Sequence, residues 1–242
     1  MGQEESMSTT EWASRPRGKP TIAGRIEARL RHDILHGTLA PGSRLSLDKL
    51  REELDVGLSP LREAVTRLVS EGLVEVAPQR GYHVAPISIA NYTEVGALRA
   101  ELEPYALRLS IANGGLDWET DVMAALYRVN HTQRDANDAR SRAEWEAANN
   151  AFHLALIARC DMPLLLRTHA MLVAFNDRYR NIYSEAVTVQ RDVVEEHTAI
   201  AQAAVARRAD EAAEILELHI TRSVEILVGH IKKNMLPEAP GA

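Results

Sequence analysis

The sequence predicts a mainly α-helical protein in two parts, a small N-terminal domain with one β-hairpin and a C-terminal all-α bundle. Three observations carry this. Apolar residues recur at three- and four-residue spacing through most of the chain, as helices with one buried stripe require. Alternation with period two is confined to the stretch between Val74 and Val84. Beyond Pro86 no strand pattern returns. The 242 residues are 45% apolar, 26% charged and 5% aromatic, a mix that belongs to a soluble globular chain and excludes collagen-like or disordered ones. One cysteine, Cys160, permits no internal disulfide. No apolar run approaches the roughly 20 residues of a membrane span, and the polar start Met1–Thr10 is no secretory signal. A cytoplasmic protein without membrane contact is expected.

Residues 1–19 lack periodicity and read as a flexible tail. From Thr21 to His36, Ile22, Ile26, Leu30 and Ile34 recur every four positions, and Gly37 supplies a C-cap. Pro41-Gly42 turns the chain, and Ser46 caps a short helix carrying Leu47, Leu50 and Leu54. After Asp55-Val56-Gly57 a second helix is expected, with Ser59 as N-cap, Pro60 in the first position and Gly72 at its end. Val74 and Val76, then Tyr82 and Val84, alternate around a turn at Pro78–Gly81. This order defines a winged helix-turn-helix over residues 20–87. Amphipathic segments then follow at about 88–113, 117–138, 141–160, 162–185, 188–208 and 209–235, separated by turns such as Asn113-Gly114-Gly115. Short connections favour antiparallel neighbours, so residues 88–236 should form a six-helix bundle.

The net charge of −6 is unevenly placed. Residues 1–87 carry 12 Lys+Arg and 12 Asp+Glu, and the excess acid lies beyond them. Local basic patches therefore remain available to the first domain. With Leu61, Val65 and Leu68 facing the core, the second helix presents Ser59, Arg62, Thr66 and Arg67 outward, where a recognition helix meets a major groove. Arg80-Gly81 at the hairpin tip can reach an adjacent groove. The stretch GTLAPGSRLSLDKLREELDVGLSPLREAVTRLVSEGLVEVAPQRGYHVAPIS resembles the DNA-binding domain of GntR-family transcription regulators. Its Pro-Gly-x-x-Leu turn, Ser-Pro-Leu-Arg-Glu-Ala, Leu-x-x-Glu-Gly-Leu-Val and Arg-Gly wing tip carry the likeness. Gly57 and Leu58 stand where that family reads a polar residue and an arginine, which removes one base or phosphate contact.

In the second domain His153, His197 and His219 lie on the apolar faces of three different helices. Singly, each reads most simply as a hydrogen-bonded core histidine. Together they suit a metal site, which bundles build from facing helices. Asn149 and His153 are i and i+4, so both can reach one ion. The stretches NNAFHLALIARC, EEHTAIAQAAVARRADEA and LHITRSV resemble the metal-carrying FCD ligand domain of FadR-like GntR regulators. That resemblance implies Asn149, His153, His197 and His219 as ligands of a divalent ion, zinc or nickel, with Asn149 in place of the usual aspartate. LRAELEPYALRLS resembles the first helix of that domain, which makes Arg99 the expected grip on an effector carboxylate. An ion pair of Arg99 with Glu101 or Glu103 is the alternative. His169 reads as core or pocket lining and His131 as solvated.

These readings imply a homodimeric repressor that binds a double-stranded DNA operator and responds to a small organic acid. A metal-dependent hydrolase with an accessory winged domain, or a regulator with a purely structural metal, are the alternatives. The hydrolase needs a general base near the ion. No HExxH spacing exists, and Glu195 and Glu196 adjoin His197 on a helix where neighbours point about 100° apart.

Overall fold

The computed structural model describes residues 21–135, 137–183 and 193–234. The expected tail 1–19 lies outside them, as do the end of the helix expected over 162–185, the start of that over 188–208, and residues 235–236. Two compact units result. One joins the described residues up to His32 with Ser43–Val84, and the other joins Asp33–Gly42 with Ala85 onward.

Helix α1 spans Ile22–Leu35, all but its last three residues in the first unit, and the Gly24 amide donates to Thr21 Oγ1 at 3.0 Å. Ala23, Ile26 and Leu30 are buried, but Ile22 is 51% exposed. A strict four-residue repeat drifts about 40° per step on a helix of 3.6 residues per turn, so its first member leaves the core face and Ala23 takes its place. Helix α2, Leu47–Leu54, is capped by Ser46 Oγ accepting from the Lys49 amide, and it ends at Asp55 in the left-handed region.

Helix α3 spans Leu58–Ser70, so the N-cap is Gly57 and Ser59 lies inside the first turn. Pro60 is its third residue rather than its first. Proline fits there because amides of the first turn have no partner within the helix. The end of α3 is closed by Leu73 N–H to Leu68 O and Gly72 N–H to Val69 O, both 3.0 Å, with Gly72 at φ 72°. Leu61, Ala64, Val65 and Leu68 are fully buried. Each of the larger three contributes about 1.5–3 kcal/mol by that burial.

The hairpin pairs β2 (Val74–Ala77) with β3 (Gly81–Val84), turning through Gln79 at φ 61°. A strand that the periodicity did not reveal, β1 (Arg44–Leu45), pairs antiparallel with β3 and makes a three-stranded sheet of order β1-β3-β2.

The second unit holds, among the described residues, α4 (Ile89–Asn113), α5 (Leu116–His131), α6 (Ala139–Ile157), α7 (Pro163–Tyr183), α8 (Val193–Val205) and α9 (Ala209–Asn234). Helix α5 stops at His131, seven residues short of the expected 138, where Thr132 turns extended and its hydroxyl donates to the Arg128 carbonyl. Helix α6 starts at Ala139 because Asp138 caps it, accepting from the Arg140 amide at 2.9 Å. The core runs through Leu107, Trp118, Val122, Phe152, Leu156, Ile157, Ile200 and Leu216. Helices α4 and α9 approach so closely that a methyl group on Gly96 would overlap the Val224 side chain.

Candidate functional site

His153 on α6, His197 on α8 and His219 on α9 are all buried, and they bring one ligand nitrogen each to within 4.8 Å of one another. Their ring centroids are 4.8 to 5.8 Å apart, and Phe152 packs 4.8 Å from the His197 ring. Two of the rings are oriented by carboxylates. His153 Nδ1 lies 2.9 Å from Glu103 Oε2, and His219 Nδ1 lies 2.7 Å from Glu196 Oε2. A carboxylate in that position accepts the Nδ1 proton and leaves the Nε2 lone pair for an ion. Burial lowers the pKa of His153, and Glu103 only partly opposes this, which favours the neutral ring that a ligand needs. This donor set fits a zinc-like ion. Asn149, also buried, sits one turn before His153 on α6.

Glu103 joins the two halves of this site. It is fully buried, accepts from Arg99 Nε at 2.6 Å across one turn of α4, and holds His153. His169 Nε2 from α7 lies 3.2 Å away, within ion-pair distance. Complete burial would raise its pKa, but Arg99 and His153, with the hydrogen bond from His153 and the nearby His169 ring, hold the carboxyl well below the usual range. Arg99, expected to reach towards an effector, is thus committed to Glu103, while Glu101 is exposed. His131 is exposed, with its ring stacked on Tyr127.

Glu196, adjacent to His197 in sequence, serves a different histidine. Pointing away from His197 along α8, it meets His219 on the neighbouring helix, with Arg222 3.6 Å off. The signal for both glutamates was faint: charged residues at helix spacing, whose partners lie 50 and 23 residues away.

In the first unit Ser59, Arg62, Thr66, Arg67, Arg80 and Gly81 are all exposed. Gly57 offers no side-chain cap, so the first amides of α3 stay available to phosphate oxygens. Arg67 differs from Arg62. Its guanidinium donates to Glu27 on α1 at 3.1 Å and to Glu63 at 2.5 Å, and Glu27 also accepts from Arg31.

An exposed recognition helix and wing in one unit, and a buried histidine cluster in a helical second unit, define a DNA-binding regulator with a ligand domain. Residues 22–84 match the profile of bacterial regulatory proteins, gntR family, and residues 94–222 match the FCD domain. The chain belongs to this family of DNA-binding transcriptional regulators. It is 37% identical over 203 residues to the HTH-type transcriptional regulator BphR of Paraburkholderia xenovorans (strain LB400), covering 82% of each chain. It is 31% identical over 202 residues to the HTH-type transcriptional repressor GlaR of Escherichia coli (strain K12), covering 82% of this chain and 92% of that one. The solved structure of E. coli McbR/YncC is similar with a TM-score of 0.70 at 25% identity, covering 86% of this chain and 97% of that one. No described helix is long and apolar enough to cross a membrane.

Proposed function

We propose that the chain is a homodimeric repressor whose operator affinity is set by a small carboxylate metabolite bound beside a divalent ion in the FCD domain. The convergence of three buried histidines next to a buried arginine carries this reading. His153, His197 and His219 would hold the ion with Asn149, and the ion would offer a Lewis-acidic position to a carboxylate oxygen. Charge favours an anion there. A divalent ion and Arg99, set against Glu103 and Glu196, leave the buried group one positive charge in excess. A dimer follows from symmetric half-sites, which helix-turn-helix proteins generally read in pairs.

The hydrolase reading fares worse, because Glu103 and Glu196 are bound to ring nitrogens and neither is placed as a base. Gel shifts with metal-loaded protein and a panel of small acids test the proposal. Release of operator by an acid only when metal is present is the expected result. Operator affinity indifferent to every acid, in a protein that metal still stabilises, would make the ion purely structural.

A further inference from the structure

The outward side of α3 is polar except at its start. Ser59, Arg62, Thr66 and Arg67 are exposed, while Leu61, Ala64, Val65 and Leu68 fill the core. Leu58, the first residue of the helix, joins neither set, being only partly covered. It lies at the margin of the buried stripe, about 40° around the helix axis from Arg62 one turn on. Helical side chains tilt towards the N-terminus, so Leu58 projects past the start of α3. That is the end which a recognition helix turns towards base edges.

The residue before it clears the approach. Gly57 is exposed, and its backbone, at φ −71° and ψ 155°, is one that any residue adopts, so the turn itself does not require glycine. A Cβ there would meet the Pro60 ring alone, at 3.5 and 3.8 Å. The space ahead of Leu58 is therefore open. Glu63, the acidic side chain of this helix, is engaged by Arg67.

An alkyl side chain in a major groove has one favourable partner. Base edges there present donors and acceptors, which a leucine can only desolvate, and the C5-methyl of thymine, which it can bury. We infer that Leu58 reads a thymine of the operator through that methyl group and is a specificity-determining residue of the winged domain. Ser59 beside it both donates and accepts, so it suits any base and discriminates less. The inference concerns DNA alone and is independent of the metal and the effector.

The test uses the full chain to select duplexes from a random-sequence library. Each thymine of the recovered duplex is then replaced singly by deoxyuridine, which keeps the hydrogen-bonding edge and removes only the methyl. One replacement should weaken binding about fourfold, the worth of one buried methyl group. The same position should favour 5-methylcytosine over cytosine by a similar factor. Leu58→Ala should bind the thymine and deoxyuridine duplexes equally. Leu58→Arg should exchange the preference for thymine there for guanine, whose O6 and N7 suit a guanidinium. Wild-type protein indifferent to every deoxyuridine replacement would overturn the inference, as would selection that enriches no thymine. So would a Leu58→Ala protein that still tells the two bases apart. Equal weakening of every duplex by Leu58→Ala, with a lowered melting temperature and no effect of deoxyuridine on wild type, would make Leu58 a packing residue.

Discussion

Glu103 and Asp177 are two carboxylates in the interior of one bundle, and their surroundings set them apart. Glu103 collects Arg99, His153 and His169 and stays ionised far below the usual range. Asp177 has one amide partner, an unpaired oxygen and the like charge of Glu146 nearby, and its pKa rises to about 6. Burial desolvates both. Partners decide whether the charge then holds the fold together or strains it. The first carboxylate is saturated with partners, and the second is short of one.

Removing the saturated carboxylate should have the largest effect. Glu103→Ala leaves Arg99 buried and unpaired and frees the His153 ring, at a cost of about 3–5 kcal/mol in denaturant unfolding. Metal affinity, measured by chelator competition, should fall about 10–100-fold. A loss no larger than that of an exposed alanine substitution would erase the contrast.

The starved carboxylate should behave oppositely. A raised pKa means that the folded state holds the proton more tightly than the unfolded chain does. The stability linked to that proton is full below about pH 4, the unfolded value, and is lost as pH rises through about 6. Asp177→Asn should therefore stabilise the protein by about 1–3 kcal/mol at pH 7.5, and the gain should vanish by pH 4. Thermal melts of variant and wild type at both pH values check the sign.

Glu196→Gln sharpens the comparison at the proposed metal site. The amide still accepts from His219 Nδ1 but without charge, so metal affinity should drop about tenfold with little change in apo stability. The smallest structural effect belongs to the DNA face. Arg62→Ala should weaken operator binding by about tenfold in gel shifts while the melting temperature stays put. Arg67→Ala should change affinity less, since Glu27 and Glu63 already hold that guanidinium.

Much of the fold could be read from local pattern. The helix-turn-helix and hairpin followed from residues within one or two turns of each other, and the structure places them nearly where spacing did. The exceptions have physical causes. Two residues, Arg44 and Leu45, are too few to alternate, so β1 left no trace. Ser59-Pro60 looks like a helix start, but Leu58 extends α3 backward and only backbone geometry at Gly57 shows it. In the bundle, each histidine could be placed on an apolar face from its own helix. Their convergence, and the glutamates behind them, depend on contacts between helices far apart in sequence. Glu103 could be weighed as a partner for Arg99 one turn away, whereas its bond to His153 had no local signature.

Helix α7 also takes hold of the start of the second unit. The buried guanidinium of Arg178 donates to the Ala85 carbonyl, and the Tyr179 hydroxyl accepts from the Ser88 amide and donates to Asn91 Oδ1 at 2.9 Å. Consecutive α7 residues thus clasp the segment through which the chain leaves the winged domain, on the same helix that carries His169 and Asp177. This segment cannot part from α7 without breaking bonds at two adjacent points. In amide exchange, Ser88 should consequently open together with α7 rather than with the loop in which it lies.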